Sequence, residues 1–219
     1  LPHIARICQL VGGIPLALEL AASWLRAYAC REIAQEVQRD LDFLQSTSPG
    51  VPARHHSVRA AFRHAWTLLT AEEQRVLQHL TVFQGTFSKE AALDVADTSP
   101  QILAALMDKS MLNRVKYEHP HPVTRYMLHN LVRRYAAERL AAAPDSASHA
   151  HERHCNYYCA LLQRLESDLT GSTQRQALET LSAEIENIRA SWTWAATHGR
   201  VTAIERALES LTQLYTVRC

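Results

Sequence analysis

One short stretch of this chain departs from the helical spacing of everything around it. Met111-Leu112-Asn113-Arg114-Val115-Lys116-Tyr117 alternates apolar and polar residues, and Arg125-Tyr126-Met127-Leu128 returns beside it across a loop holding Pro120 and Pro122, the pattern of a two-stranded ribbon. Before it, apolar residues recur at helical spacing. Val58, Ala61, Phe62, Ala65, Trp66 and Leu69 predict a helix from about Ser57. Thr70 and Glu73 form a capping box for the next helix, Gln74 to Leu80. After the extended piece Thr81 to Phe87, Ser88 caps a helix to Ala96 and Ser99-Pro100 begins another to about Lys109. Helices followed by a ribbon make a winged helix. A further helix, Asn130 to about Ala142, turns Leu131, Val132, Tyr135, Ala136 and Leu140 to one stripe.

The flanks read as helical too. Ile4 to Val11 is an apolar helix stopped by Gly12-Gly13, and Pro15 suits the first turn of the next, where its missing N–H costs nothing. Leu16, Leu18, Leu20, Ala21, Trp24 and Leu25 crowd most faces of that helix and predict its burial, while Ile33, Val37 and Leu41 mark a third. The turn formers of Ser46 to Pro52 and of Ala143 to Ser148 predict two linkers. Beyond the second, one helix is expected from His149 to Leu169 and another from a Thr173–Gln176 capping box to Thr197, with a third filling the rest. The fold class is therefore mainly α: a helical subdomain at 1–48, a winged helix with a small β-ribbon at 53–143, and an antiparallel, repeat-like helical segment at 148–219.

Composition removes several classes of function. With 23 basic against 22 acidic residues in 219, there is no global pull toward nucleic acid or anionic membrane. No apolar run has the length of a membrane span and no secretory signal is visible, so a cytoplasmic location is expected. Five scattered cysteines do not form a disulfide framework. Opening at Leu1 and stopping within a helical pattern, the chain reads as a fragment of a longer protein.

Two segments resemble known motifs. Gly12-Gly13-Ile14-Pro15-Leu16-Ala17-Leu18 is similar to the Gly-x-Pro motif of signal-transducing NTPases of the NB-ARC and STAND class, whose proline sits against a nucleotide's adenine. Met127-Leu128-His129-Asn130 resembles the Met-His-Asp motif of their winged helices, with His129 on the histidine that reaches the β-phosphate of ADP. Leu128 replaces the methionine and Asn130 the aspartate. Together with Trp66 to Glu73, Leu80 to Phe87, Arg133 to Leu140 and Glu184 to Trp192, these residues make nearly the whole chain resemble bacterial STAND regulators of the LuxR, AfsR and predicted-ATPase type. The resemblance implies an ATP/ADP-controlled switch, with Gly13, Pro15 and His129 as nucleotide-contacting residues and no catalytic or metal-binding ones. It implies ATP/ADP with Mg for the parent protein, an upstream nucleotide-binding domain as partner, an inducer or protein partner on the repeats, and homo-oligomerisation. Pro15 is expected to face the junction of the first two domains rather than solvent.

The chemistry that is missing matters as much. No G-x-x-x-x-G-K-[ST] loop occurs in the 219 residues, so this chain is not expected to hydrolyse ATP or hold nucleotide tightly; the resemblance implies a slow regulatory NTPase for the parent. An alternative reading is a protein-interaction scaffold with a decayed nucleotide site, favoured by the neutral Asn130. Direct DNA reading is disfavoured, because Pro100 to Lys109 offers only Gln101 and Lys109 to base edges, with Asp108 beside the latter. Arg133, Arg134 and Arg139 read as a solvated face, with Glu138 partnering Arg134. His149, His151, His154, Cys155 and Cys159 cluster without a metal knuckle, and cysteine packing is the favoured reading. Ser57 with His64, and Cys8 with His3, offer no catalytic triad.

Overall fold

The computed structural model describes residues 2–45, 57–117, 123–170, 173–205, 207, 208 and 212. The fold is mainly α with one three-stranded antiparallel sheet. The predicted linker at Ser46 to Pro52, the Pro120–Pro122 loop, Gly171-Ser172 and most of the last predicted helix lie outside the described residues; of that helix, 201–205 is helical. Contacts divide the chain into two compact units, Leu1–Gln74 with His129–Glu138, and Arg75–Leu128 with Arg139–Cys219.

The first unit holds α1 (Pro2–Val11), α2 (Pro15–Ser23), α3 (Cys30–Arg39) and α4 (Val58–Thr67), the first turn of α5 (Ala71–His79), and most of α8 (Asn130–Ala141). Its core gathers Val11, Ala17, Leu20, Ile33, Val37, Leu44, Val58 and Leu131. Burial in α2 is narrower than its composition predicts. Ala17, Leu20 and Ala21 are buried, but Leu25 is 54% exposed, because α2 gives way at Trp24 to a single 3-10 turn that changes the facing of its residues. Trp24 stacks on Phe43 at 5.0 Å and donates its indole N–H to the Phe43 carbonyl at 3.0 Å. The Thr70 capping box forms as predicted: the Glu73 amide donates to the Thr70 hydroxyl and the Thr70 amide to the Glu73 carboxylate.

In α8 the stripe Leu131, Val132, Tyr135, Ala136 and Leu140 is buried, but the arginines do not form a solvated face. Arg134 donates to the Val37 carbonyl at 2.6 Å, and Glu138 pairs with Arg59 at 2.6 Å rather than with Arg134. Burial lowers the pKa of Arg133. A four-residue helical spacing permits a side-chain pair but does not win against a carbonyl or a cation supplied by another helix.

The second unit contains the rest of α5, then β1 (Thr86–Ser88), α6 (Lys89–Val95), α7 (Pro100–Asp108), β2 (Asn113–Tyr117), β3 (Val123–Met127), α9 (Pro144–Leu165), α10 (Gln174–Ala183) and α11 (Ile185–Thr197). Ser88 and Ser99 cap α6 and α7 as expected, accepting from the Ala91 and Ile102 amides. The ribbon is larger than expected. β3 is central, paired with β2 through Val115↔Arg125 and with β1 through Phe87↔Tyr126; three residues of β1 are too few to show a period in sequence.

Two expectations about the C-terminal helices fail. The 143–148 stretch is not a linker but the start of α9, with Pro144 at its first position and Asp145 in its first turn, where a missing N–H and a negative charge both favour a helix. The single helix predicted from Thr173 to Thr197 is two, parted at Glu184 (φ −105°, ψ 4°). Thr173 caps nothing; its hydroxyl donates to Asp168 at 2.8 Å.

Candidate functional site

The turn after α1 closes in a Schellman pattern. The Gly13 amide donates to the Cys8 carbonyl and the Gly12 amide to the Gln9 carbonyl, both at 3.2 Å, with Gly12 at φ 57°. Gly12 is required a second time. A Cβ on it would lie 2.0 Å from His129 Nε2. At Gly13, also at positive φ (76°), a Cβ would meet open space. The glycine that touches His129 is thus Gly12, which sequence reasoning passed over in favour of Gly13; its position just past the helix end was the available signal.

His129 is half-buried and both of its ring nitrogens are engaged. Nε2 lies 3.0 Å from the Gly12 carbonyl, and Nδ1 accepts from the Leu131 amide at 3.2 Å. A carbonyl only accepts and an amide N–H only donates, so this pair of contacts selects the neutral Nε2–H tautomer. Asn130 adds a parallel bond, its Nδ2 donating to the Gln9 carbonyl at 3.2 Å. Donors from the start of α8 therefore cap the negative end of α1. An aspartate at position 130 would bring a carboxylate to that carbonyl with no proton between them. Pro15 opens α2 and is exposed, contrary to the expectation that it faces a domain junction, since α2 buries Ala17, Leu20 and Ala21 instead.

The second unit holds a different polar cluster, one without a sequence signature. Arg125 on β3 meets Glu184 at 2.7 Å, each side chain only 5% exposed. The guanidinium also donates to the Thr86 hydroxyl, the Thr86 carbonyl and the Ala183 carbonyl. Glu184 accepts from the Tyr158 hydroxyl at 2.8 Å and from Asn187 at 3.1 Å, and Asn187 bridges to β1 by accepting from the Gln84 amide and donating to the Thr86 carbonyl. Burial, and then the Glu184 charge, hold the Tyr158 phenol well above its ordinary pKa, so it stays a donor. These bonds explain the break at Glu184, whose carboxylate is held by β3, α9 and α11 at once.

The face of α7 that would meet DNA is poor in readers. Its exposed residues are Pro100, Gln101, Ala104 and Asp108, followed by Lys109, while Leu103 and Leu106 are buried. The histidines of the predicted histidine–cysteine cluster pack on aromatic rings, while Cys155 and Cys159 stay together at 4.0 Å. His151 stacks on Trp194, and His154 packs on Phe83 and Tyr158. Among the described residues no three His, Cys, Asp or Glu side chains could share a metal. Ser57 caps α4. No helix of the described residues is long and apolar enough to cross a membrane.

Residues 69–141 match the family described as "Winged helix-turn-helix domain". That stretch is a winged helix. The chain is 32% identical over 219 residues to the proteins named "Putative HTH-type transcriptional regulator" in Mycobacterium tuberculosis and Mycobacterium bovis, covering 97% of this chain and 24% of theirs. It is 25% identical over 151 residues to an uncharacterised Mycobacterium bovis protein, covering 65% of this chain and 38% of that one. A STAND protein with a tetratricopeptide repeat sensor from Pyrococcus horikoshii aligns in structure with a TM-score of 0.37 at 18% identity, over 90% of this chain and 34% of that one. The chain thus spans about a quarter of the length of the curated regulators it matches.

Proposed function

We propose that this chain is the switch segment of a cytoplasmic transcriptional regulator, in which the winged helix couples the nucleotide state of an upstream domain to conformational change and assembly. What carries the reading is the bond between His129 and the Gly12 carbonyl, which joins two segments 117 residues apart that resemble the nucleotide-contacting motifs of STAND proteins. The 32% identity to proteins named as transcriptional regulators supports the regulatory part. Gly13, Pro15 and His129 are proposed to contact ADP held mainly by an upstream P-loop domain with Mg. The subdomain limits 1–48, 53–143 and 148–219 belong to the same reading, as do an inducer or protein partner on the C-terminal helices and a homo-oligomeric active form.

In the arrangement described, the His129 N–H is engaged with Gly12. Donation to a phosphate requires that this bond lengthen or be exchanged. Such an exchange is a two-state element that a nucleotide would bias by its different contacts in each state. The test is ADP release from a longer chain that carries the upstream domain. His129→Ala removes a bond of about 1–3 kcal/mol when charge-assisted, so release should quicken roughly five- to 150-fold. Unchanged release would overturn nucleotide sensing by His129.

A second reading, an interaction scaffold without nucleotide control, has one observation in its favour. Asn130 uses its amide protons to hold the Gln9 carbonyl, a structural task for a neutral side chain. The release experiment separates the two readings.

A further inference from the structure

We propose that Cys155 and Cys159 form a two-coordinate thiolate site for a soft monovalent cation, copper(I), at the wall of a cavity in the C-terminal helical segment. The two residues stand one turn apart on α9, and their sulfurs are 4.0 Å from each other, sharing a hydrogen. A two-coordinate copper(I) centre is near linear and sets its two sulfurs slightly farther apart than this, a change that a small rotation of either side chain supplies without a shift of the helix. A disulfide, by contrast, needs them at about 2.05 Å. Neither cysteine is in a disulfide.

The surroundings favour a soft cation of low coordination number over zinc. Among the described residues no third His, Cys, Asp or Glu completes a metal cluster, whereas structural zinc takes four ligands. Two thiolates alone suit copper(I), which soft sulfur ligands select. Both cysteines line a cavity of about 600 Å³, bordered also by Asn156, Trp194 and Arg200. Arg200 is held at the rim by Glu152 at 3.0 Å and by the Trp194 ring at 5.6 Å. Binding releases both thiol protons to solvent and leaves a bis-thiolate complex of charge −1 beside the Arg200 cation. No electron is transferred.

The experiment titrates the reduced 219-residue chain anaerobically with copper(I) buffered by a chromophoric chelator. The background carries Cys8→Ser, Cys30→Ser and Cys219→Ser, so that only the α9 pair remains. One equivalent should bind, with X-ray absorption reporting two sulfur neighbours, and either Cys155→Ser or Cys159→Ser should weaken binding at least 100-fold. Binding that neither substitution weakens, or a coordination sphere with fewer than two sulfurs, overturns the site. A second measurement avoids substitution at the pair. In the folded chain with the pair intact, copper(I) should protect Cys155 and Cys159 from alkylation, read by mass spectrometry, and equal labelling with and without the ion overturns the proposal.

Discussion

Around the turn after α1, His129 and Asn130 bond, among the described residues, to main-chain groups and lie near solvent, whereas in the second unit Arg125 and Glu184 meet as buried charges ringed by side chains from several helices and strands. The first arrangement exchanges partners at small cost, because water or a ligand replaces any bond that opens. The second does not. An uncompensated Arg125 charge would keep only neutral partners, the Thr86 hydroxyl and the Thr86 and Ala183 carbonyls, with no counter-charge in a buried site. A switching role suits the first region and a fixed joint between the sheet and α9–α11 suits the second.

The strongest way to break this contrast is at Glu184. Glu184→Ala leaves Arg125 buried without its anion and should cost about 3–5 kcal/mol in denaturant unfolding. The double replacement Arg125→Met with Glu184→Leu should recover most of that loss, since it removes both charges together. A joint that tolerates Glu184→Ala within 1 kcal/mol or so would put the two regions on the same footing.

Acid probes the second unit independently. Burial, and next the Arg75 charge, lower the pKa of His79 from 6.5 to about 4; its Nε2 lies 2.9 Å from the Ser146 hydroxyl, and its Nδ1 is buried without a hydrogen bond. The folded state holds this ring neutral while the unfolded chain takes up a proton near pH 6.5. Its contribution is therefore intact above pH 6.5 and is lost as pH falls toward 4, by at most about 3 kcal/mol. His79→Gln should flatten that part of the stability–pH profile, and an unchanged slope would show that other groups set it.

At the turn the two glycines should separate. Gly12→Ala meets both the left-handed backbone and the His129 ring and should cost about 2–3 kcal/mol, while Gly13→Ala meets only the backbone term of about 1 kcal/mol. Equal losses would mean that the ring moves aside freely. The smallest effect is at Asn130. Asn130→Asp replaces a donor with an acceptor facing the Gln9 carbonyl and should destabilise by about 1 kcal/mol at neutral pH, with a milder loss for Asn130→Ala. A gain in stability for the aspartate would show that its charge at the start of α8 outweighs the lost donor.

Much of this is legible in the residues alone. The helices over 58–109, the Ser88, Ser99 and Thr70 caps and the buried stripe of α8 follow from local rules: hydrophobic period, hydroxyls at helix starts and the missing N–H of proline. The mainly α class and the winged helix follow from them. Of the candidate site, His129 was found through its motif, but its partner Gly12 was not, since which of two adjacent glycines meets a ring depends on where α8 comes to lie.

Local pattern settles which segments are helices, because backbone hydrogen bonds and apolar period reach only a few residues along the chain. It did not reveal the third strand, the break at Glu184 or the partners of Arg134 and Glu138. Those depend on groups far along the chain, such as Tyr126 from Phe87, Ala183 from Arg125 at 58 residues and Gln84 from Asn187 at 103. A buried charge or amide takes whichever partner the packing brings to it, and the cost of leaving it without one is what makes tertiary structure, not sequence spacing, decide the bond.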